Sequence, residues 1–109
     1  MIKVTVFREN DRIRAFELSG HAESGPYGYD LVCAGVSAVS IGSINAVLTL
    51  CEVDLDIEQG GAGGYLYVTI PGSIASKKME RVQLLFEGML ISLSSIEQEY
   101  QQFITIQDM

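Results

Sequence analysis

Apolar and polar residues alternate at the start of the chain, where Ile2, Val4 and Val6 are separated by Lys3 and Thr5. Successive side chains of a strand point to opposite faces, so a period of two predicts a half-buried β-strand here. Glu9-Asn10-Asp11 reads as a turn, and Ile13 to Leu18 as the returning strand. Ser19-Gly20-His21 ends that strand. The stretch Ala22 to Asp30 holds Gly25-Pro26 and Gly28, which predict an irregular loop.

The pattern then changes. No residue from Leu31 to Leu50 is charged, a run long enough to cross a bilayer. Ser37, Ser40, Ser43, Asn45 and Thr49 make it too polar for that, and its flanks are Asp30 and Glu52 rather than Lys or Arg. No membrane partner is expected, and the run is read as a buried helix of a small domain. Asp30 suits the N-cap of a helix starting near Leu31, because its carboxylate accepts from free backbone N–H groups. Ala34, Ala38, Gly42 and Ala46 recur every four residues, a stripe of small side chains expected to pack closely against a sheet.

Alternation returns at Cys51, Val53, Leu55 and Ile57, which are interleaved with Glu52, Asp54, Asp56 and Glu58. This predicts a strand with one apolar and one acidic face. Gln59 to Gly64 is a glycine-rich turn, Tyr65 to Ile70 the hairpin partner, and Pro71-Gly72 its stop. A helical period follows from about Ile74, with Val82, Leu85, Met89 and Leu93 on its apolar face. Ser94-Ser95 is a candidate break before Ile96 to Tyr100, and Phe103 to Ile106 is a last strand. The order ββαββαβ implies an α+β fold: a two-layer sandwich with a mostly antiparallel sheet covered by two main helices. No linker or composition shift divides residues 1–109, which are read as a single domain.

Composition narrows the function. The 109 residues carry 7 Lys+Arg against 14 Asp+Glu, a formal charge of −7, and phosphate backbones are repelled by such a surface. No direct nucleic-acid partner is expected; a basic partner, or simple solubility, fits better. The N-terminus lacks the long apolar core of a signal peptide, and two cysteines make no disulfide framework, which points to the reducing cytoplasm. One His and two Cys fall short of a four-ligand zinc site, so no metal is expected.

The single His and one Cys flank the same loop, with His21 at a strand end and Cys33 twelve residues on. If Asp30 caps the helix, Cys33 falls in its first turn, where free N–H groups and the helix dipole favour a thiolate. A neighbouring imidazole would take the thiol proton, and the same N–H groups would stabilise an oxyanion on an attacked carbonyl. These are the parts of a minimal cysteine peptidase. The plainer alternative is that Cys33 is a small buried hydrophobe and His21 a turn residue. Cys51, with no basic neighbour on the apolar side of its strand, reads as structural. A Cys33–Cys51 redox pair is disfavoured by the lack of a nearby resolving thiol. The run Gly60 to Gly64 lacks the Lys and Ser/Thr of a phosphate-binding loop.

Gly20-His21-Ala22, followed by Gly28-Tyr29-Asp30-Leu31-Val32-Cys33-Ala34-Gly35-Val36-Ser37, resembles the signature of the ribosomal-processing cysteine protease (Prp) family. That pattern is Gly-His-Ala, a short glycine-containing loop, then Gly-x-Asp-x-Val-Cys-Ala-Ala-Val-Ser, and Gly35 is the one departure from it. The resemblance spans nearly the whole chain. It implies a bacterial cytoplasmic endopeptidase, needing no cofactor and working as a homodimer. Such enzymes remove the N-terminal extension of a large-subunit ribosomal protein. It also implies Cys33 as nucleophile and His21 as general base, with Gly20 in support. Asp30 would orient His21 or cap the helix, and Ser37 would contact substrate, hold the loop or simply bond its own helix. Ala22, Gly25, Tyr27, Gly28 and Tyr29 would form a substrate loop whose glycines let it close. Glu52, Asp54, Asp56 and Glu58, or Glu87, Glu97 and Glu99, would attract a basic client. The competing reading is a non-enzymatic ribosome-associated binding module of the same fold.

Overall fold

The computed structural model describes residues 1–20, 28–60 and 64–109, and for 28–30 it describes the backbone. The order is β1 (Ile2–Glu9), β2 (Arg12–Ser19), α1 (Gly28–Leu50), β3 (Asp56–Gln59), β4 (Tyr65–Thr69), α2 (Ser76–Glu99) and β5 (Ile104–Asp108). The five strands form one sheet in the order β3-β4-β2-β1-β5, antiparallel except for the β1–β5 pair. This is the expected α+β sandwich, with both helices on one face of the sheet.

Alternation became strand wherever a partner was in reach. Asn10 and Asp11, at φ 53° and 66°, form the two-residue turn between β1 and β2 that matches the natural strand twist. Register carries the apolar phase across the sheet: Val4 lies opposite Leu18, and Leu18 opposite Leu66. In the next row Val6, Phe16 and Val68 are all buried. Phe16 meets Phe86 of α2 edge to face, with ring centroids 5.0 Å apart. A bulge between Phe7 and Arg8 disturbs the β1–β2 ladder, and Gln83 repairs it. Its side-chain amide accepts from the Ile13 N–H and donates to the Ile13 carbonyl, both at 2.8 Å.

Several local expectations are corrected. Helix α1 opens at Gly28, so Asp30 lies inside its first turn rather than at the N-cap, and residues 28–30 leave the predicted loop. An acidic residue in a first turn complements the positive helix end, which lets the helix extend past it. The small-residue stripe does not meet the sheet: Ala34, Ala38 and Gly42 are exposed, while Val32, Val36, Ser40, Ile44 and Val47 make the buried face. Bulky side chains fill the space above a sheet better than alanines do, so they take the inward face. Of the window Leu31–Leu50, only 28% is buried, so the helix is less buried than expected.

The acidic strand is shorter than its alternation. Cys51 still donates its N–H to the Val47 carbonyl, and Glu52 turns the chain with φ 54°. The segment from Cys51 to Leu55 therefore crosses from helix to sheet unpaired, and only residues 56–59 become β3. Cys51 is 2% exposed in the core, structural as expected but not in a strand. In α2 the Ser94-Ser95 break does not occur. The Ser95 hydroxyl donates to the Ile91 carbonyl at 3.1 Å, within the helix, while buried Leu93 holds the period.

At the far end of the sheet Arg8 ties four segments together. Its guanidinium donates to Glu87 of α2, to Asp108 of β5 and to the Asp11 carbonyl, at 2.6–3.0 Å. Hydrogen bonds from Arg8, opposed by some desolvation, hold the Glu87 carboxyl below the usual carboxylate range.

Candidate active site

The N-terminal half of α1 faces the opposite end of the sheet across a cleft of about 480 Å³. Helical periodicity aligns Cys33, Ser37 and Ile41 along one wall, four residues apart, with Val36 and Ser40 beside them. Ile2, Leu18 and Leu66 form an apolar floor, and Gln59, Gly60 and Gly64 form the rim across from α1.

Cys33 is half-buried, packs against the core and lines this cleft. It is the sixth residue of α1, one turn deeper than expected. Only the first four N–H groups of a helix lack internal partners, and the dipole effect fades within the first turn. The oxyanion donors expected from the helix start are therefore not at Cys33. Ser37 is exposed on the same wall.

Gly20 closes β2 and also lines the cleft, with φ +90°. A Cβ there would sit 2.3 Å from the Met1 carbonyl oxygen, so glycine is required by both backbone and space. Its N–H donates to the Gly64 carbonyl at 2.8 Å, pinning the end of β2 to the rim. His21, Ala22, Gly25 and Tyr27 lie outside the described residues, as do the side chains of Tyr29 and Asp30; the backbone of Gly28 and Tyr29 opens α1. Gly35, the departure from the family pattern, would place an added Cβ 3.7 Å from Ile96, an ordinary contact, so alanine also fits.

Cys33 and Cys51 do not form a redox pair within one chain. Cys33 lies near the start of α1 and Cys51 just past its end, about 27 Å apart at about 1.5 Å of rise per residue, far beyond disulfide reach.

Sequence reasoning missed the rim. Gln59 lies opposite Leu66, whose row is buried against the helices, so its side chain is on the cleft side of the sheet. The signal was present: Gln59 takes the apolar phase set by Val53, Leu55 and Ile57, and is the polar residue in it. Tyr65 has the reverse orientation. Its hydroxyl donates to Glu17 at 2.8 Å on the open face of the sheet, and that bond raises the phenol above its ordinary range.

Comparison with known proteins agrees with this fold. Residues 1–105 match the family model described as cysteine protease Prp. The chain is 44% identical over 101 residues to the ribosomal processing cysteine protease Prp of Bacillus subtilis (strain 168), covering 92% of this chain and 90% of that one. It is 36% identical over 105 residues to the protein of the same name from Staphylococcus aureus (strain Mu50 / ATCC 700699), covering 96% and 94%. The crystal structure of the essential ribosomal processing protease Prp from S. aureus, in complex with a covalently linked product peptide, superposes with a TM-score of 0.87. That match has 34% identity and covers 100% of both chains. With a cysteine on the wall of a peptide-sized cleft, and this agreement over sequence and fold alike, the chain belongs to the Prp family of cysteine proteases.

Proposed function

We propose that residues 1–109 act as one cytoplasmic endopeptidase domain that removes the N-terminal extension of a bacterial large-subunit ribosomal protein. The observation that carries this is the shared cleft: Cys33 lines it, and so does Gly20, the residue immediately before His21. Relatives named for ribosomal processing, one with a covalently linked product peptide, support the substrate class and a nucleophilic cysteine.

In this reading His21 takes the Cys33 thiol proton, and the thiolate adds to the scissile carbonyl carbon. The resulting oxyanion collapses as His21 returns the proton to the leaving amine, leaving a thioester on Cys33. Water, deprotonated by His21, then adds to the thioester and releases the acid and the thiol. Ser37, one turn along the wall, hydrogen-bonds the substrate. Asp30 orients His21, and Ala22, Gly25 and Tyr27 close over the peptide.

The test is incubation of the chain, and of its Cys33→Ala variant, with a peptide spanning the extension and mature start of that ribosomal protein. Cleavage by the first, reduced at least about 10³-fold in the second, is the expected result. No cleavage by either overturns the peptidase reading and favours a binding module.

The same reading makes the protein a homodimer through the outer face of the helical layer. Ala34, Ala38 and Gly42 leave a shallow exposed track beside Ile41, and Leu84 and Ile91 of α2 are 73% and 70% exposed. Small residues allow close approach of a second helix pair, which would explain why so apolar a helix is left uncovered. Ala38→Glu should shift the sedimenting species from dimer to monomer; a monomer before the substitution overturns it.

A further inference from the structure

The rim across from Cys33 holds a residue with the chemistry to read a peptide main chain. Gln59, Leu66, Leu18 and Val4 form one continuous row across the sheet. The last three are buried beneath the helices, whereas Gln59 is exposed because β3 is the sheet edge and emerges at the cleft. Among the described residues its amide has no hydrogen-bond partner, unlike that of Gln83, which is spent on Ile13.

Building on the peptidase reading, we propose that Gln59 is a positioning residue. Its primary amide, a donor and an acceptor in one group, bonds to the main chain of the bound peptide on the wall opposite Cys33. An extended peptide offers an N–H and a C=O at every residue, so a neutral amide fixes its register without demanding a particular side chain. The α1 wall from Cys33 to Ile41 rises by about 12 Å, enough for three or four extended residues. Gln59 lies one row in from the Gly20–Gly64 end, so the bonded residue is within about three positions of the scissile bond. A peptide laid over the apolar floor shields that bond from water, which makes it worth more than one on open surface.

The experiment measures binding and cleavage in parallel. Labelled versions of the same peptide, each N-methylated at one position, are titrated onto the Cys33→Ala chain and the Cys33→Ala/Gln59→Leu chain. The matching chains with Cys33 intact are assayed for kcat and KM. Gln59→Leu should raise Kd and KM about 3- to 10-fold, the span of one net hydrogen bond, with kcat within about twofold. Gln59→Glu, which keeps only the acceptor, should fall between. One N-methyl position should weaken binding to the Gln59 chain and add nothing further in Gln59→Leu. Unchanged Kd and KM in Gln59→Leu, or identical methylation profiles in the two chains, overturn the proposal. Binding that depends on Gln59 without cleavage by the intact chain would overturn the peptidase reading and leave this one standing. No binding at all would overturn both.

Discussion

The two ends of the sandwich use polar residues in opposite ways. At the Arg8 end two polar side chains are consumed by the fold: one guanidinium serves Glu87, Asp108 and the Asp11 carbonyl, and Gln83 serves both backbone groups of Ile13. At the cleft end Ser37 and Gln59 are exposed around a half-buried thiol. The same types of side chain thus staple one end and leave the other open to a ligand. The two cysteines carry this contrast, Cys33 in α1 on the cleft and Cys51 just past the end of α1 in the core.

Exchanging the cysteines one at a time should break the comparison most visibly. Cys33→Ser should abolish cleavage with little change in melting temperature. Cys51→Ser, which buries an extra hydroxyl in an apolar site, should cost about 1–3 kcal/mol of stability while the folded fraction still cleaves. Iodoacetamide followed by mass spectrometry should label Cys33 and spare Cys51 in the native protein. Equal labelling would mean that the difference in exposure does not persist in solution.

Gly20→Ala tests whether the cleft end tolerates any backbone change. The left-handed φ and the Met1 carbonyl oxygen together predict a loss of about 2 kcal/mol in denaturant unfolding, with KM raised as the β2 end moves away from Gly64. A neutral effect would contradict the described geometry there.

The Arg8 end should respond to acid. The Glu87 carboxyl is held below its unfolded value, so its contribution is present above about pH 4.5 and is lost as pH falls through the lower, folded value. Glu87→Gln should therefore remove part of the pH dependence of stability in that window. The cost at neutral pH should be about 1 kcal/mol, modest because the Glu87 side chain is 40% exposed. An unchanged pH profile would show that the ion pair contributes nothing.

The smallest effect belongs to the departure from the family pattern. Gly35→Ala should stabilise the protein by about 0.5–1 kcal/mol through helix propensity, since its Cβ meets Ile96 at a comfortable distance. Cleavage should be unchanged. A destabilised variant would mean that α1 and α2 pack more tightly at that point than an alanine allows.

Local physics was legible in the chain before any fold was known. The alternation of Ile2, Val4 and Val6, the Asn10-Asp11 turn and the period of Val82, Met89 and Leu93 each depend on neighbours a few residues away, and each became the expected element. The nucleophile candidate was legible for the same reason, because the Gly-His-Ala…Asp-x-Val-Cys spacing lies within one stretch of chain. The stripe Ala34-Ala38-Gly42 shows where such reasoning stops: periodicity says which residues share a face but not what that face meets.

The sequence by itself determined the element types, their order and the family. Tertiary structure alone decided what stands opposite Cys33. Gln59 comes 26 residues later and reaches the cleft only because β3 pairs at the edge of β4, in register with the buried Leu66 row. Strand pairing between distant segments sets that register, and no local pattern around Cys33 encodes it.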